Sequence, residues 1–174
     1  MKIVPSGWYY LGPAASNGSN DCVGVIVRET SYDKALAPIV DWEKVWDDSG
    51  SGKPTDYSLW RGVAQDLDFI VIGGFFVRSK NKPLSEDTAG MMAVHKDLVV
   101  DVWPGQQIWN DAGTGAIQDG AVWDISTKGN EHAVNTGAFV PVRGHDTPPH
   151  FTLALDSAKI ITLVRSFGII KSNY

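Results

Sequence analysis

The chain has 174 residues, 43% hydrophobic and 20% charged, with 15 Lys and Arg against 20 Asp and Glu for a formal net charge of -5. That length suffices for one domain with a real core. The acid excess and the lack of any basic block exclude an electrostatic footprint for nucleic acid, so no nucleic-acid partner is expected.

Helical signals are nearly absent. The 18 Gly and 9 Pro are scattered throughout and leave few windows for a long helix; only 31–37 reads as a helical turn. Short runs rich in Val, Ile, Phe, Tyr and Trp between turn clusters read as strands. In chain order they cover 8–11, 23–28, 40–46, 57–63, 69–77, 91–95, 98–103, 107–109, 121–125, 138–142, 151–155, 160–164 and 168–171. Cys22 is the single cysteine, which excludes an internal disulfide and a disulfide-stapled secreted scaffold. No stretch reaches the ~18 apolar residues of a membrane span. Residues 1–8 lack the apolar run of a signal peptide. The expectation is a soluble, cytoplasmic protein, with non-classical release compatible with these features.

An internal repeat organises the strands. Trp46, Asp48, Gly50, Gly52, Asp56 and Trp60 recur 63 residues later as Trp109, Asp111, Gly113, Gly115, Asp119 and Trp123. Rare residue types at fixed spacing mark a duplicated structural unit. At the same offset, 74–77 maps onto 137–140. Each unit also has an apolar-Asp lead-in, Val40-Asp41 and Val100-Asp101. The ends of the chain resemble a third unit cut open, with Tyr9-Tyr10-Leu11-Gly12 similar to Ile70-Val71-Ile72-Gly73.

These units predict an all-β single domain over 1–174. The expected architecture is a β-prism of three four-stranded Greek-key sheets about a pseudo-threefold axis, with units roughly 40–97, 98–155, and 156–174 joined to 1–39, and a β-sandwich is the fallback. The first sheet is closed by both termini, which protects edges otherwise open to pairing.

The run carried by Trp46, Asp47, Asp48, Gly50, Ser51, Gly52, Asp56, Ser58, Trp60 and Arg61 resembles the signature of the fungal and plant vacuolar protein sorting-associated family, number sixty-two. In the second copy Asn110 replaces the first aspartate, Ala121 the serine and Asp124 the arginine. The resemblance implies a fold rather than an activity. A shorter resemblance is to the jacalin-like lectins, β-prisms whose sugar loop carries G-x-x-x-D; Gly52 to Asp56 and Gly115 to Asp119 both satisfy it.

The chemistry of the two loops admits three readings. As turns, Gly50 and Gly52 supply positive φ, Asp and Ser side chains cap the backbone, and Trp46 and Trp60 pair across the hairpin. As glycan sites, the Asp56 and Asp119 carboxylates would accept hydrogen bonds from sugar hydroxyls. Gly52 and Gly115 would allow close approach, and Trp60 and Trp123 would pack on the pyranose face. As calcium sites, Asp47, Asp48 and Asp111 would lead the sets of hard oxygen donors, although neither loop has EF-hand spacing. Calcium is the one cofactor considered.

Enzyme motifs fail. Asp47 stands where a phosphate loop needs its first glycine, and no G-x-S-x-G elbow exists. His145, Asp146 and His150 lack a nearby third ligand in sequence, so His145 reads as part of a solvated loop. The leading expectation is a non-enzymatic, lectin-like module with glycans or glycoconjugates as partners. The alternatives are a membrane- or lipid-headgroup-targeting or toxin-accessory module, with several of the seven Trp exposed as an interfacial belt, and a structural scaffold with calcium-stabilised loops.

Overall fold

The computed structural model describes residues 4–16, 24–30, 34–148 and 152–160. Cys22, His150 and the strand expected at 168–171 lie outside them. The described residues are all-β: thirteen strands, antiparallel within each sheet, one 3-10 turn at Lys96–Leu98 and no α-helix. No helix among the described residues is long and apolar enough to cross a membrane.

The strands are β1 (Tyr9–Tyr10), β2 (Ile26–Val27), β3 (Leu36–Asp47), β4 (Ser58–Ala64), β5 (Phe69–Ile70), β6 (Gly74–Val77), β7 (Met92–His95), β8 (Val99–Val102), β9 (Pro104–Asn110), β10 (Gly120–Ile125), β11 (Ala133–Val134), β12 (Phe139–Arg143) and β13 (Thr152–Asp156). β3 is long and belongs to two pairings. Its first residues pair with β7 and the rest with β4, across a register shift between Ile39 and Asp41. The resulting sheet runs β5-β7-β3-β4-β6. The second copy repeats this with the long strand cut in two at Trp103: β11-β13-β8 forms one sheet and β12-β10-β9 another. Pro104 opens β9, where a residue without an N–H donor is tolerated.

The two Trp hairpins pair in like register. Trp46 faces Leu59 and Asp47 faces Ser58; Trp109 faces Val122 and Asn110 faces Ala121. Both hairpins carry a register shift at the same place, between Lys44 and Trp46 and opposite Gln107 and Trp109. Each copy thus has β3-like, β4-like, β5-like, β6-like and β7-like strands, five rather than the expected four, because 69–77 is split into β5 and β6 by Val71, Ile72 and Gly73. The copies start at Leu36 and Val99 rather than at 40 and 98.

Two further expectations are corrected. Residues 74–77 pair with β4 as Phe139–Val142 pair with β10, so their counterpart lies 65 residues on, not at 137–140. Two extra residues in the preceding connection leave the faces unchanged, because strand side chains alternate with period two. The helical turn at 31–37 is not seen at Leu36 and Ala37, which open β3; 31–33 lie outside the described residues. Pairing of Leu36 and Ala37 with Val94 and Ala93 outweighs local propensity.

The main core gathers Leu11, Leu36, Ile72, Val94, Ile125 and Leu155 from all parts of the described chain. At its centre three small residues meet. A Cβ added at Gly12 would lie 2.9 Å from both Gly73 Cα and Ala138 Cβ, so nothing larger fits at either glycine. A second cluster of Val45, Trp46, Leu59, Val122 and Phe139 joins the two copies. Across the same seam the Arg143 guanidinium donates to the Val45 and Lys44 carbonyls at 3.2 and 3.1 Å.

Candidate functional site: the paired aspartate-glycine hairpins

Each Trp-x-D-x-G-x-G window forms the loop of a hairpin, and the two loops have one backbone design. Asp48 N–H donates to the Tyr57 carbonyl and Asp111 N–H to that of Gly120, both at 3.1 Å; Ser51 and Thr114 N–H turn back to the Asp48 and Asp111 carbonyls at 3.0 and 2.9 Å. Gly50 and Gly52 have φ of 91° and 67°, Gly113 and Gly115 of 76° and 82°, a region in which side chains other than glycine are strained. Asp47 Oδ1 accepts from Ser49 N–H at 3.0 Å, and Asn110 Oδ1 from Ala112 N–H at 3.1 Å. That shared side-chain turn explains why Asn replaces Asp here at no structural cost.

The residue after it, Asp48 or Asp111, is buried, 5% and 3% exposed. Asp111 is fully engaged. Its Oδ2 accepts from the Trp46 indole N–H at 2.8 Å, and its Oδ1 from Gly120 N–H at 3.0 Å and lies 2.6 Å from His145 Nε2. Burial works to raise its pKa, but the Gly120, His145 and Trp46 hydrogen bonds overcome it and hold the carboxyl below the usual range. Among the described residues neither Asp48 oxygen has a hydrogen-bond partner, and Lys80 Nζ stands 3.6 Å away.

A basic side chain follows β6 in the first copy and β12 in the second, and sits between a buried and an exposed carboxylate. Lys80 Nζ is 2.9 Å from Asp56 and 3.6 Å from Asp48. His145 Nε2 is 2.6 Å from Asp111 and 3.9 Å from Asp119. The two residues are 65 apart, the offset of β6 and β12. Their backbones are held alike: Lys44 Nζ donates to the Lys80 carbonyl and Gln107 Nε2 to the His145 carbonyl, both at 2.8 Å. The hydrogen bond with Asp56 raises the pKa of Lys80, and that with Asp111 raises the pKa of His145.

The loops also touch each other. Ile117 N–H donates to the Ser49 carbonyl at 2.7 Å, and Gly50 leaves no room for a Cβ against Ile117. Two acidic, glycine-rich hairpins therefore share one edge of the molecule. In fold, the chain is similar to GNIP1Aa from Chromobacterium piscinae. The TM-score with that crystal structure is 0.75 at 24% identity, and the likeness covers 92% of this chain and 33% of that one. The chain thus spans about a third of GNIP1Aa's length. No family model and no curated protein matches the sequence.

Of the expected ligand-binding residues, Gly52, Gly115, Asp56 and Asp119 are exposed at this edge. Trp60 is not available: it is 6% exposed, its indole N–H donates to Ser58 Oγ at 2.7 Å, and the Lys44 ammonium stands 5.1 Å from its ring. Trp123 is half-buried, with an indole nitrogen that has no partner among the described residues. The cause is the serine-to-alanine change between copies, since Ala121 offers no hydroxyl where Ser58 does. The tryptophan belt is absent as well. Trp103 is 66% exposed, while the other six Trp are buried or half-buried.

The expected calcium donors do not converge. Asp47 is committed to Ser49 N–H and to Lys44 Nζ, 3.1 Å from its Oδ2, and Asp48 faces an ammonium that repels a metal ion. Only Asp111 of the three belongs to a possible metal cluster, with Asp119 and His145. Sequence reasoning missed Lys80 and Ile117, and it grouped His145 with Asp146 and His150 rather than with Asp111 and Asp119. The repeat contained the signal that pairs Lys80 with His145, hidden by the change of offset from 63 to 65.

Proposed function

We propose that the chain is a non-enzymatic, lectin-like module that binds carbohydrate at the edge formed by the two hairpin loops. The observation that carries this reading is the pairing of an exposed carboxylate with a neighbouring donor in both copies, Asp56 with Lys80 and Asp119 with His145. A sugar hydroxyl both donates and accepts, so a fixed acceptor beside a fixed donor suits vicinal hydroxyls. The exposed Gly52 and Gly115 leave the backbone approachable. Ile117, 79% exposed between the loops, supplies the apolar contact that buried Trp60 cannot. Two weak sites on one edge would gain by avidity.

The architecture behind this reading is a β-prism with pseudo-threefold symmetry, closed by both termini and related to the vacuolar protein sorting-associated family named above. Its support is the meeting of Gly12, Gly73 and Ala138, one residue from each unit, and the pairing of β1 with β2 in the manner of β5 with β7. A glycan array on the wild type and on an Asp56→Ala, Asp119→Ala double variant tests the function. Binding to neutral glycans that the double variant loses is the expected result. A wild type that binds no glycan at high concentration would sink it.

A further inference from the structure

The two copies place different chemistry between the same pair of carboxylates. Lys80 brings a permanent ammonium to Asp48 and Asp56. His145, on an identically anchored backbone, brings an imidazole to Asp111 and Asp119. A neutral imidazole nitrogen is a metal ligand; an ammonium is not. The donor atoms of Asp111, Asp119 and His145 all lie within 4.8 Å of one another.

We infer that Asp111, Asp119 and His145 bind a divalent transition-metal ion, and that Lys80 is the built-in positive charge that takes its place in the first copy. Three properties support the site. First, one imidazole and two carboxylates form the mixed nitrogen and oxygen set that suits Zn2+ and its neighbours rather than calcium, which takes six to eight oxygens. Second, the nitrogen-oxygen separations of 2.6 and 3.9 Å bracket the edge of about 3.3–3.6 Å expected for tetrahedral ligands about 2.0–2.2 Å from one ion; exposed Asp119 has freedom to close one difference and part-exposed His145 to open the other. Third, Asp111 is already oriented as a ligating carboxylate should be, by the Trp46 indole and Gly120 N–H, while the Gln107 amide fixes the backbone of His145. Independently of these, the first copy shows that this pair of carboxylates accommodates a cation, with Lys80 Nζ 2.9 Å from Asp56. The open side at Asp119 leaves water to complete the coordination.

The inference concerns the second of the two hairpin sites, where an ion would take the place of the His145 donor beside Asp119; its test contains no sugar, so its failure and that of the carbohydrate reading are distinguishable. Calorimetric titration of the full chain with Zn2+, alongside the visible absorption of Co2+, should show one equivalent bound. His145→Lys, which installs the residue the first copy already carries, should weaken binding at least about 100-fold, and exposed Asp119→Asn at least about tenfold. No uptake of either ion at millimolar concentration would overturn the inference. So would unchanged affinity in either variant, since the ion would then belong to other histidines.

Discussion

The hairpins at Trp46 and Trp109 share backbone, turn hydrogen bonds and glycine positions, yet their tryptophans have different work. Trp46 is 2% exposed. It donates to Asp111 and to the Gln118 carbonyl at 2.8 and 2.7 Å and packs edge-on against Trp109, with centroids 5.2 Å apart. It is a residue of the first copy that completes the second. Trp109 is half-buried against Trp46 and Phe76. The repeat conserves a loop shape, and the seam between copies decides what each residue of that shape must do.

Replacing each tryptophan in turn should expose that asymmetry most strongly. Trp46→Ala removes a buried ring and strips a hydrogen bond from the buried carboxylate of Asp111, so a loss of about 3–5 kcal/mol is expected. Trp109→Ala should cost less, under about 3 kcal/mol. Urea denaturation of both variants measures the gap. Equal losses would mean that the seam is not what distinguishes the copies.

Next in size is the position that follows Asp56 and Asp119. Tyr57 occupies it in the first copy and Gly120 in the second, where an added Cβ would overlap the Trp46 ring. Gly120→Ala should therefore destabilise by about 1–3 kcal/mol through overpacking, with the same denaturation assay as readout. Tyr57→Ala, at a half-buried site, involves no such clash. A neutral Gly120→Ala would show that Trp46 can move aside.

How far the sequence revealed these relationships depended on what each residue must do. Trp, Asp and Gly of the windows were legible because a positive φ or a side-chain turn tolerates few substitutes. The match between β6 and β12 was misaligned by two residues, since a loop insertion leaves alternation intact and pattern reading cannot detect it. The equivalence of Lys80 and His145 stayed hidden for a different reason. What they share is a basic side chain between two carboxylates and an anchored carbonyl, and neither survives as a common letter. Trp60 was misread as a ligand platform because a buried and an exposed tryptophan look alike in sequence, and only the Ser58 hydroxyl distinguishes its role.

That hydroxyl provides the third contrast. Ser58 Oγ accepts from the Trp60 indole and donates to the Ser79 carbonyl, whereas Ala121 leaves the Trp123 indole nitrogen without a partner among the described residues. Ser58→Ala should cost about 1–3 kcal/mol by leaving a buried donor unpaired, and Ala121→Ser should gain about 1 kcal/mol by supplying an acceptor. The pair of opposite signs, read from thermal or urea midpoints, is the check. A destabilising Ala121→Ser would mean that the second copy has closed over the space the serine needs.

The smallest effect separates the two cations by pH, in chelator-treated protein so that only protons titrate. The hydrogen bond with Asp111 raises the folded pKa of His145 above its ordinary 6.5. A raised folded pKa favours the protonated form in the native state, so the stabilisation is complete below pH 6.5 and fades as pH climbs through the folded value. The hydrogen bond with Asp56 does the same for Lys80 above 10.5. The first copy therefore keeps its cation throughout the window in which the second loses its own. Wild-type stability should contain a shallow decline beginning above pH 6.5 that His145→Lys moves to beyond 10.5. Exposed ion pairs contribute little, so the difference between the two profiles is the measurement. Superimposable profiles between those limits would mean that the imidazole and the ammonium are not equivalent parts of one repeated site.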